Sequence, residues 1–468
     1  MAYKISTEIL IIVLNNVQSS RSTQDLYSSL LVNRIWCKFT IPLLWELTLG
    51  QEYYTEHELR KKALCIRTYI SCMDTQVRNL LIQNKFDLSS SPPQAIFDYP
   101  SFTHKFIINN LVYFVSIYSQ QIVSPDQENS NSDDADEEIV TTESRILFHE
   151  ICKLIINRCT FLDCFKLVRV PKCFLKNIYL RYGDLIGSIL NLPGAPKVFK
   201  KLESFTSTIR RNLNLTEPLY ESLKLICDNI LSMDLSLNSD PQIESLEKLI
   251  IVQKWLENLS IAGNFYRLPN SLFWAIISRK ETLKSLRLDL VDFSNFKGKL
   301  ASIGQFISLQ ELYIKHCYRL HNSDCLFLAS SFTQLNSFHY FHSRHIDSYP
   351  REFIIEILQT ANIRSFSFDC GEEFDADELL CQITKNVPES LEIIEIRMDY
   401  NDPWIFSADS LRIFLEGWCC KGGGNKPRIL RIKRSLKLND FMPPLNLVTI
   451  SSEHFKVIEE YGIRFDME

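Results

Sequence analysis

The sequence predicts an α/β solenoid: a small all-helical module at the N-terminus, then a horseshoe of repeated strand–helix units with parallel inner strands and outer helices. Three observations carry this. A short apolar pattern recurs at near-constant spacing through the C-terminal half. Helix-spaced apolar residues fill the gaps between its copies. The N-terminal stretch shows helical apolar periodicity without that pattern.

Composition bounds the reading. The chain has 468 residues, 46% hydrophobic and 23% charged. That is an ordinary globular balance, with enough apolar material for a large core, and it excludes wholesale disorder. Lys+Arg 51 against Asp+Glu 56 gives a net charge of −5. So weak a field does not point to nucleic acid or an anionic membrane as partner. With only 13 glycines and no G-x-G-x-x-G or P-loop order, a glycine-rich nucleotide fold is excluded. The opening MAYKISTEILIIVLNN has an apolar run of only six, Ile9 to Leu14, between Glu8 and Asn15. This is no secretory signal, and no apolar stretch is long enough for a membrane span. Fourteen cysteines in such a chain read as reduced thiols, which places it in the cytoplasm, the nucleus or both.

At the N-terminus, Ile5, Ile9, Leu10, Val13 and Leu14 share one side of a helix. A polar break, QSSRSTQ, follows. The next stretch carries Leu26, Leu30, Leu31, Val32, Ile35 and Trp36 at helical spacing and ends with Leu43, Leu44 and Trp45. So short a module cannot bury all these groups internally, so part of this surface is shared with a neighbour. Residues 51–145 form a helical connector or irregular first repeats, with helical character over Glu58–Leu81 and in an aromatic-rich stretch at 97–118. Within the connector, Ser124 to Thr142 holds seven carboxylates and no Lys or Arg. It reads as a disordered acidic loop.

Residues 146–468 hold the repeats. The L-x-x-L-x-L pattern, with Ile, Phe, Met or Tyr allowed, starts at 256, 283, 309, 335, 363 and 391, in steps of 27, 26, 26, 28 and 28. Its copies are Leu256-Leu259-Ile261, Leu283-Leu286-Leu288, Leu309-Leu312-Ile314, Leu335-Phe338-Tyr340, Ile363-Phe366-Phe368 and Leu391-Ile394-Ile396. Weaker copies are Leu175-Ile178-Leu180, Leu202-Phe205 and Ile230-Met233-Leu235 upstream, and Leu430-Ile432 and Tyr461-Ile463 downstream. The L-x-L alternation places two side chains on one face of a short strand. Asn238, Asn264 and Cys317 stand where a side chain would satisfy the following turn. Helical spacing returns at 350–361, 375–387 and 407–419, with Ser323, Asp375 and Ser407 as N-cap candidates.

This period and signature resemble the leucine-rich repeat. The N-terminal stretch resembles an F-box, on Glu8-Ile9-Leu10, on Leu26 through Val32-Asn33-Arg34-Ile35-Trp36, and on Pro42-Leu43-Leu44-Trp45. It is especially similar to large fungal sets with Val-Asn-Arg-x-Trp-Cys and Pro-x-Leu-Trp. Ile5-Ser6 stands where that family opens with Leu-Pro. The resemblance covers roughly residues 4–49 and sets the N-terminal boundary at 1–50. An F-box followed by leucine-rich repeats implies the substrate-recognition subunit of an SCF-type ubiquitin ligase. The F-box binds a Skp-type adaptor, which links to cullin and RING subunits, and the repeats bind a target protein. Leu10, Leu14, Leu30, Leu31, Val32, Ile35, Trp36 and Trp45 are then the adaptor contacts or the F-box core, and sequence does not separate the two roles. On the repeat strands, Arg287, Tyr313, Lys315, His339, Phe341, Asp369, Glu395 and Arg397 face the concave side and are the candidate target contacts. The alternatives are a repeat scaffold outside any ligase, and an adaptor-bound sensor of a small ligand.

Catalytic and metal chemistry has little support. No C-x-x-C occurs. His339-x-x-His342-x-x-His345 spreads over different faces of a strand and its turn, and His316, His321 and Cys325 read as surface or turn residues. Cys419-Cys420 leads into a Gly/Lys loop that lacks the P-loop order. Arg428, Arg431, Lys433, Arg434 and Lys437 form a basic run that reads as the solvated edge of a terminal strand. No catalysis, metal or cofactor is expected.

Overall fold

The computed structural model describes residues 7–19, 23–50, 62–88, 94–123, 142–168, 178–208, 216–237, 240–263, 268–294, 304–318, 332, 334–341, 351–369, 376–398, 406–421, 428–434 and 452–467. Two compact units divide the chain, Met1–Ile230 and Leu231–Glu468. Each is a parallel-strand α/β solenoid in which strands adjacent in the chain are neighbours in the sheet.

The first unit opens with three helices, α1 (Thr7–Ser19), α2 (Thr23–Leu30) and α3 (Arg34–Gly50). The apolar run from 26 to 45 is split at Asn33. Its side-chain oxygen accepts from the backbone N–H of Ile35 at 2.9 Å and of Trp36 at 3.1 Å, and so caps α3. Leu10, Leu14 and Leu26 are the buried core of the module, with Val17, Trp36, Phe39, Leu43 and Leu44 packed against it.

The far end of α3 is fixed to the first strand, β1 (Lys105–Ile107). Glu46 pairs with Lys105 at 2.8 Å, and Asn110 donates to the Leu49 carbonyl at 3.2 Å. Trp45 donates from Nε1 to the Tyr69 hydroxyl at 3.1 Å, and its ring lies 4.5 Å from that of Tyr99. Strands β2 (Cys164–Leu167) and β3 (Ser204–Ser207) continue the sheet of this unit, with Phe106, Phe165 and Phe205 in one register row.

Three sequence expectations are corrected in this unit. The 97–118 stretch is not one helix. It contains a short 3-10 turn (Tyr99–Phe102), then β1, then a helix at Ile108–Val123. The copy Leu175-Ile178-Leu180 is not a strand, because Ile178–Ser188 is helical. The strand lies earlier, where Leu162, Phe165 and Leu167 carry the same spacing and are fully buried. The Glu58–Leu81 helix is, within the described residues, broken by Asp74, which caps a second helix by accepting from Val77 N–H at 2.9 Å. Residues 124–141, most of the acidic run, lie outside the described residues.

The second unit carries β4 (Ser232–Ser236), β5 (Asn258–Ala262), β6 (Ser285–Asp289), β7 (Glu311–Lys315), β8 (Ser337–Phe341), β9 (Ser365–Asp369), β10 (Ile393–Met398), β11 (Ile429–Arg434) and β12 (Arg464–Met467). All six strong copies of the pattern fall in register. Leu259, Leu286, Leu312, Phe338, Phe366 and Ile394 form one inward row. Ile261, Leu288, Ile314, Tyr340, Phe368 and Ile396 form the next. All of these are buried, as is the first residue of every copy. No strand can bury its apolar face alone, so each relies on its neighbours.

The expected helices appear as Arg351–Thr360, Ala376–Asn386 and Ala408–Lys421. Ser407 caps the last of these, its hydroxyl accepting from Ser410 N–H at 3.1 Å. Ser323 and Asp375 lie outside the described residues. Cys317 is buried in its turn and donates to the carbonyls of Leu288 and Lys315 at 3.5 and 3.4 Å. Asn238 and Asn264 lie outside the described residues. The final strand begins at Arg464, so the Tyr461-Ile463 copy is displaced: Phe465 pairs with Leu430. Among the described residues, no helix is long and apolar enough to cross a membrane.

Candidate functional sites on each unit

The N-terminal module sorts its apolar residues into two sets. Leu10 and Leu14 are buried, while Leu30 and Trp36 are half-buried. Leu31 is 88% exposed, Val32 56% and Ile35 53%. These three follow one another where α2 ends and α3 begins, and the Asn33 cap fixes that turn. Ile9, Ile12 and Tyr27 are also largely exposed. Trp45 is half-buried and held against Tyr69 and Tyr99, so it ties the module to the segment that follows it. A helical-wheel count could have found Ile9 and Ile12, which are spaced i, i+3 on α1.

In the second unit, register brings the eight candidate strand residues onto the sheet face opposite the leucine rows. Arg287, Tyr313 and His339 are consecutive in one row, which continues through Ser367 to Glu395. Lys315 and Phe341 are paired in the next row, as are Asp369 and Arg397. These residues interlock. The Arg287 guanidinium lies over the Tyr313 ring at 4.4 Å, and that of Arg397 lies over Phe341 at 4.3 Å. Both distances suit a cation–π contact. The two rings are 5.2 Å apart. Arg397 also donates to Glu395 at 2.7 Å and to the Tyr313 hydroxyl at 3.4 Å. Burial is the largest single influence and works against the Arg397 charge, but the hydrogen bonds and charges of Glu395 and Tyr313 together outweigh it, and its pKa is raised.

Three members are less open than alternation suggests, among them Glu395 at 6% exposed. Tyr313 is 8% exposed and Phe341 only 2%, because the guanidiniums lie on them. Arg397 reaches Phe341 from two strands away, across β9, which presents the small, buried Ser367 in the middle row. Glu311 was not among the sequence candidates. It sits one outward position upstream, accepts from the Ser285 hydroxyl at 2.6 Å, and lies 3.5 Å from His339 Nε2. Extending the period-two alternation by one step along β7 would have found it.

His339 Nε2 is 2.8 Å from the Ser337 hydroxyl, and its Nδ1 is buried with no hydrogen-bond partner among the described residues. Burial is the largest influence on the imidazole and holds its pKa below the ordinary 6.5. Glu311 and Glu395 oppose the shift, and Arg397 and Arg287 reinforce it. As pH falls, the unfolded chain therefore takes up this proton first. The stability from the neutral form is present above about pH 6.5 and is lost as the pH drops toward the lower folded value. Denaturant midpoints of the second unit should fall from about pH 7 to about pH 5, and His339→Gln should flatten that slope. Equal slopes in the two proteins would refute this assignment.

Among the described residues, no three His, Cys, Asp or Glu side chains gather as a metal would require. His342, His345, His321 and Cys325 lie outside them. In the basic run, Arg428 stacks over Trp418 at 5.2 Å and β11 carries residues 429–434, while Lys437 is outside the described residues.

The fold and these surfaces define a parallel-strand repeat solenoid of leucine-rich type carrying a three-helix N-terminal module. No protein-family model matches the chain. No curated protein matches it either. Among solved structures, it is similar to the leucine-rich repeat-containing protein LegL7 from Legionella pneumophila. The likeness has 13% identity and a TM-score of 0.40, and covers 64% of this chain and 89% of that one. So distant a likeness adds nothing on function.

Proposed function

We propose that this chain is the non-catalytic substrate-recognition subunit of an SCF-type ubiquitin ligase. The N-terminal helices bind a Skp-type adaptor and, through it, cullin and RING subunits. The open sheet face of the repeats holds the target protein. Its contribution to ubiquitin transfer is proximity, raising the local concentration of target lysines near the ubiquitin-loaded enzyme. One observation supports this reading above the rest. Leu31, Val32 and Ile35 are presented to water by a module that already has its own leucine core. Large exposed apolar groups gathered on so small a body mark a docking surface, and a few such side chains dominate binding energy.

The test is a pull-down of the full chain with a Skp-type adaptor from the same source, beside Leu31→Asp/Ile35→Asp. Both positions are exposed, so the double variant should keep its helices. The wild type should bind, and the variant should bind about 100-fold more weakly. A wild type that does not bind, or a folded variant that binds as well, removes the ligase reading and leaves a repeat scaffold outside any ligase.

A further inference from the structure

On the open face of β6 to β10, most charges are answered from within. Asp289 lies 3.9 Å from Lys315, Glu395 holds Arg397, and Glu311 accepts from Ser285 beside His339. Arg287 is different. It is exposed, and none of the described residues gives it an ion pair. Its guanidinium is nonetheless held in place, with its central carbon 4.4 Å from the centre of the Tyr313 ring. A guanidinium held over a ring by a cation–π contact does not spend its N–H donors on hydrogen bonds to that ring's face, so they stay available to a ligand. Tyr313 is in turn held by a hydrogen bond from Arg397 to its hydroxyl and by its contact with the Phe341 ring. The result is a held set of donors with a positive charge that none of the described residues pairs with a carboxylate. Such a set matches a carboxylate.

We infer that this face receives an acidic peptide segment, with one carboxylate taken up by Arg287. The interleaved carboxylates Asp289, Glu311, Asp369 and Glu395 argue against a run of phosphates, since a nucleic-acid backbone would meet their repulsion along the whole face. A peptide offering a single carboxylate meets the cation and avoids them. The inference rests on the sheet face being the target surface. It does not depend on adaptor binding.

The experiment is selection of random displayed peptides on the immobilised full chain, comparing wild type, Arg287→Ala and Arg287→Glu. Peptides selected by the wild type should be enriched in Asp and Glu, and should bind Arg287→Ala at least about tenfold more weakly. Arg287→Glu should select peptides with Lys or Arg instead. Lys248→Gln, at an exposed position of the Asp240–Val252 helix, should leave the binding of the wild-type peptides unchanged. Circular dichroism checks that each variant is folded. No selected peptides, no acidic enrichment, or affinity indifferent to Arg287 would each overturn the inference. So would Arg287-dependent capture of a single-stranded oligonucleotide at the same salt. Adaptor pull-down on the same samples separates the two readings: peptide selection can succeed while adaptor binding fails, and the reverse.

Discussion

Trp418→Ala should cost the C-terminal repeats about 3–5 kcal/mol, the range for deleting a large buried aromatic side chain. Trp418 is the largest fully buried side chain among the described residues. It stacks near Phe414, with ring centres 5.9 Å apart, and donates from Nε1 to the Leu391 carbonyl at 2.8 Å. That bond links the Ala408–Lys421 helix to the turn that launches β10. Truncation therefore leaves both a cavity and an unanswered buried carbonyl. Repeat solenoids transmit stability chiefly between neighbours, so the loss should be local. Amide hydrogen exchange should accelerate in β10, β11 and the flanking helices and stay slow in β4 to β7. Trp418→Phe, which keeps most of the volume but not the donor, should fall between. Unchanged exchange in β10 and β11 would show that this packing does not hold the C-terminal end.

Leu14→Ala is the second large effect, and it contrasts with Leu31→Ala. Leu14, Leu10 and Leu26 are the buried core of the helical module. A leucine truncation there costs about 2–5 kcal/mol, which rivals the whole stability of so small a core. The amides of α1 and α2 should lose protection, while the end of α3, anchored through Glu46–Lys105 and Trp45–Tyr69, keeps more of its own. Leu31 is almost wholly exposed, and its truncation should change stability by no more than about 0.5 kcal/mol. Both variants should lose adaptor binding, the first by unfolding its docking surface and the second by removing part of it. Protection of α1 that survives Leu14→Ala would show that the three leucines are not what holds the module together.

Periodicity explains how much was legible beforehand. The six strong copies land in register because the inward row of a strand tolerates only apolar side chains, and each repeat must supply them at the same offset. Helix ends were legible where a cap is written into the sequence and read as one, as at Ser407, whereas the cap at Asn33 emerged only from the structure. The early strands were harder to place. β1 and β2 are short and separated by two long helices, so spacing gives no fixed step by which to find Phe106 or Phe165. On the open face, alternation correctly named the residues that share it, but it could not show that Tyr313 and Phe341 are covered. Their cover includes Arg397, which lies 84 residues from Tyr313 in the chain.

The sequence by itself determined the class of fold, the strand–helix repeat, the short helical module before it, and eight of the residues that share the open sheet face. These follow from local periodicity, which needs no partner to be read. Only the tertiary structure decided which module leucines are core and which meet water, because that depends on how three helices close on Leu10, Leu14 and Leu26. It also decided which charges on the sheet face are answered. Arg397 finds Glu395 and two aromatic rings, while Arg287 has its ring and, among the described residues, no carboxylate. Ion pairing and stacking act over a few ångströms between strands, a distance that chain spacing does not encode.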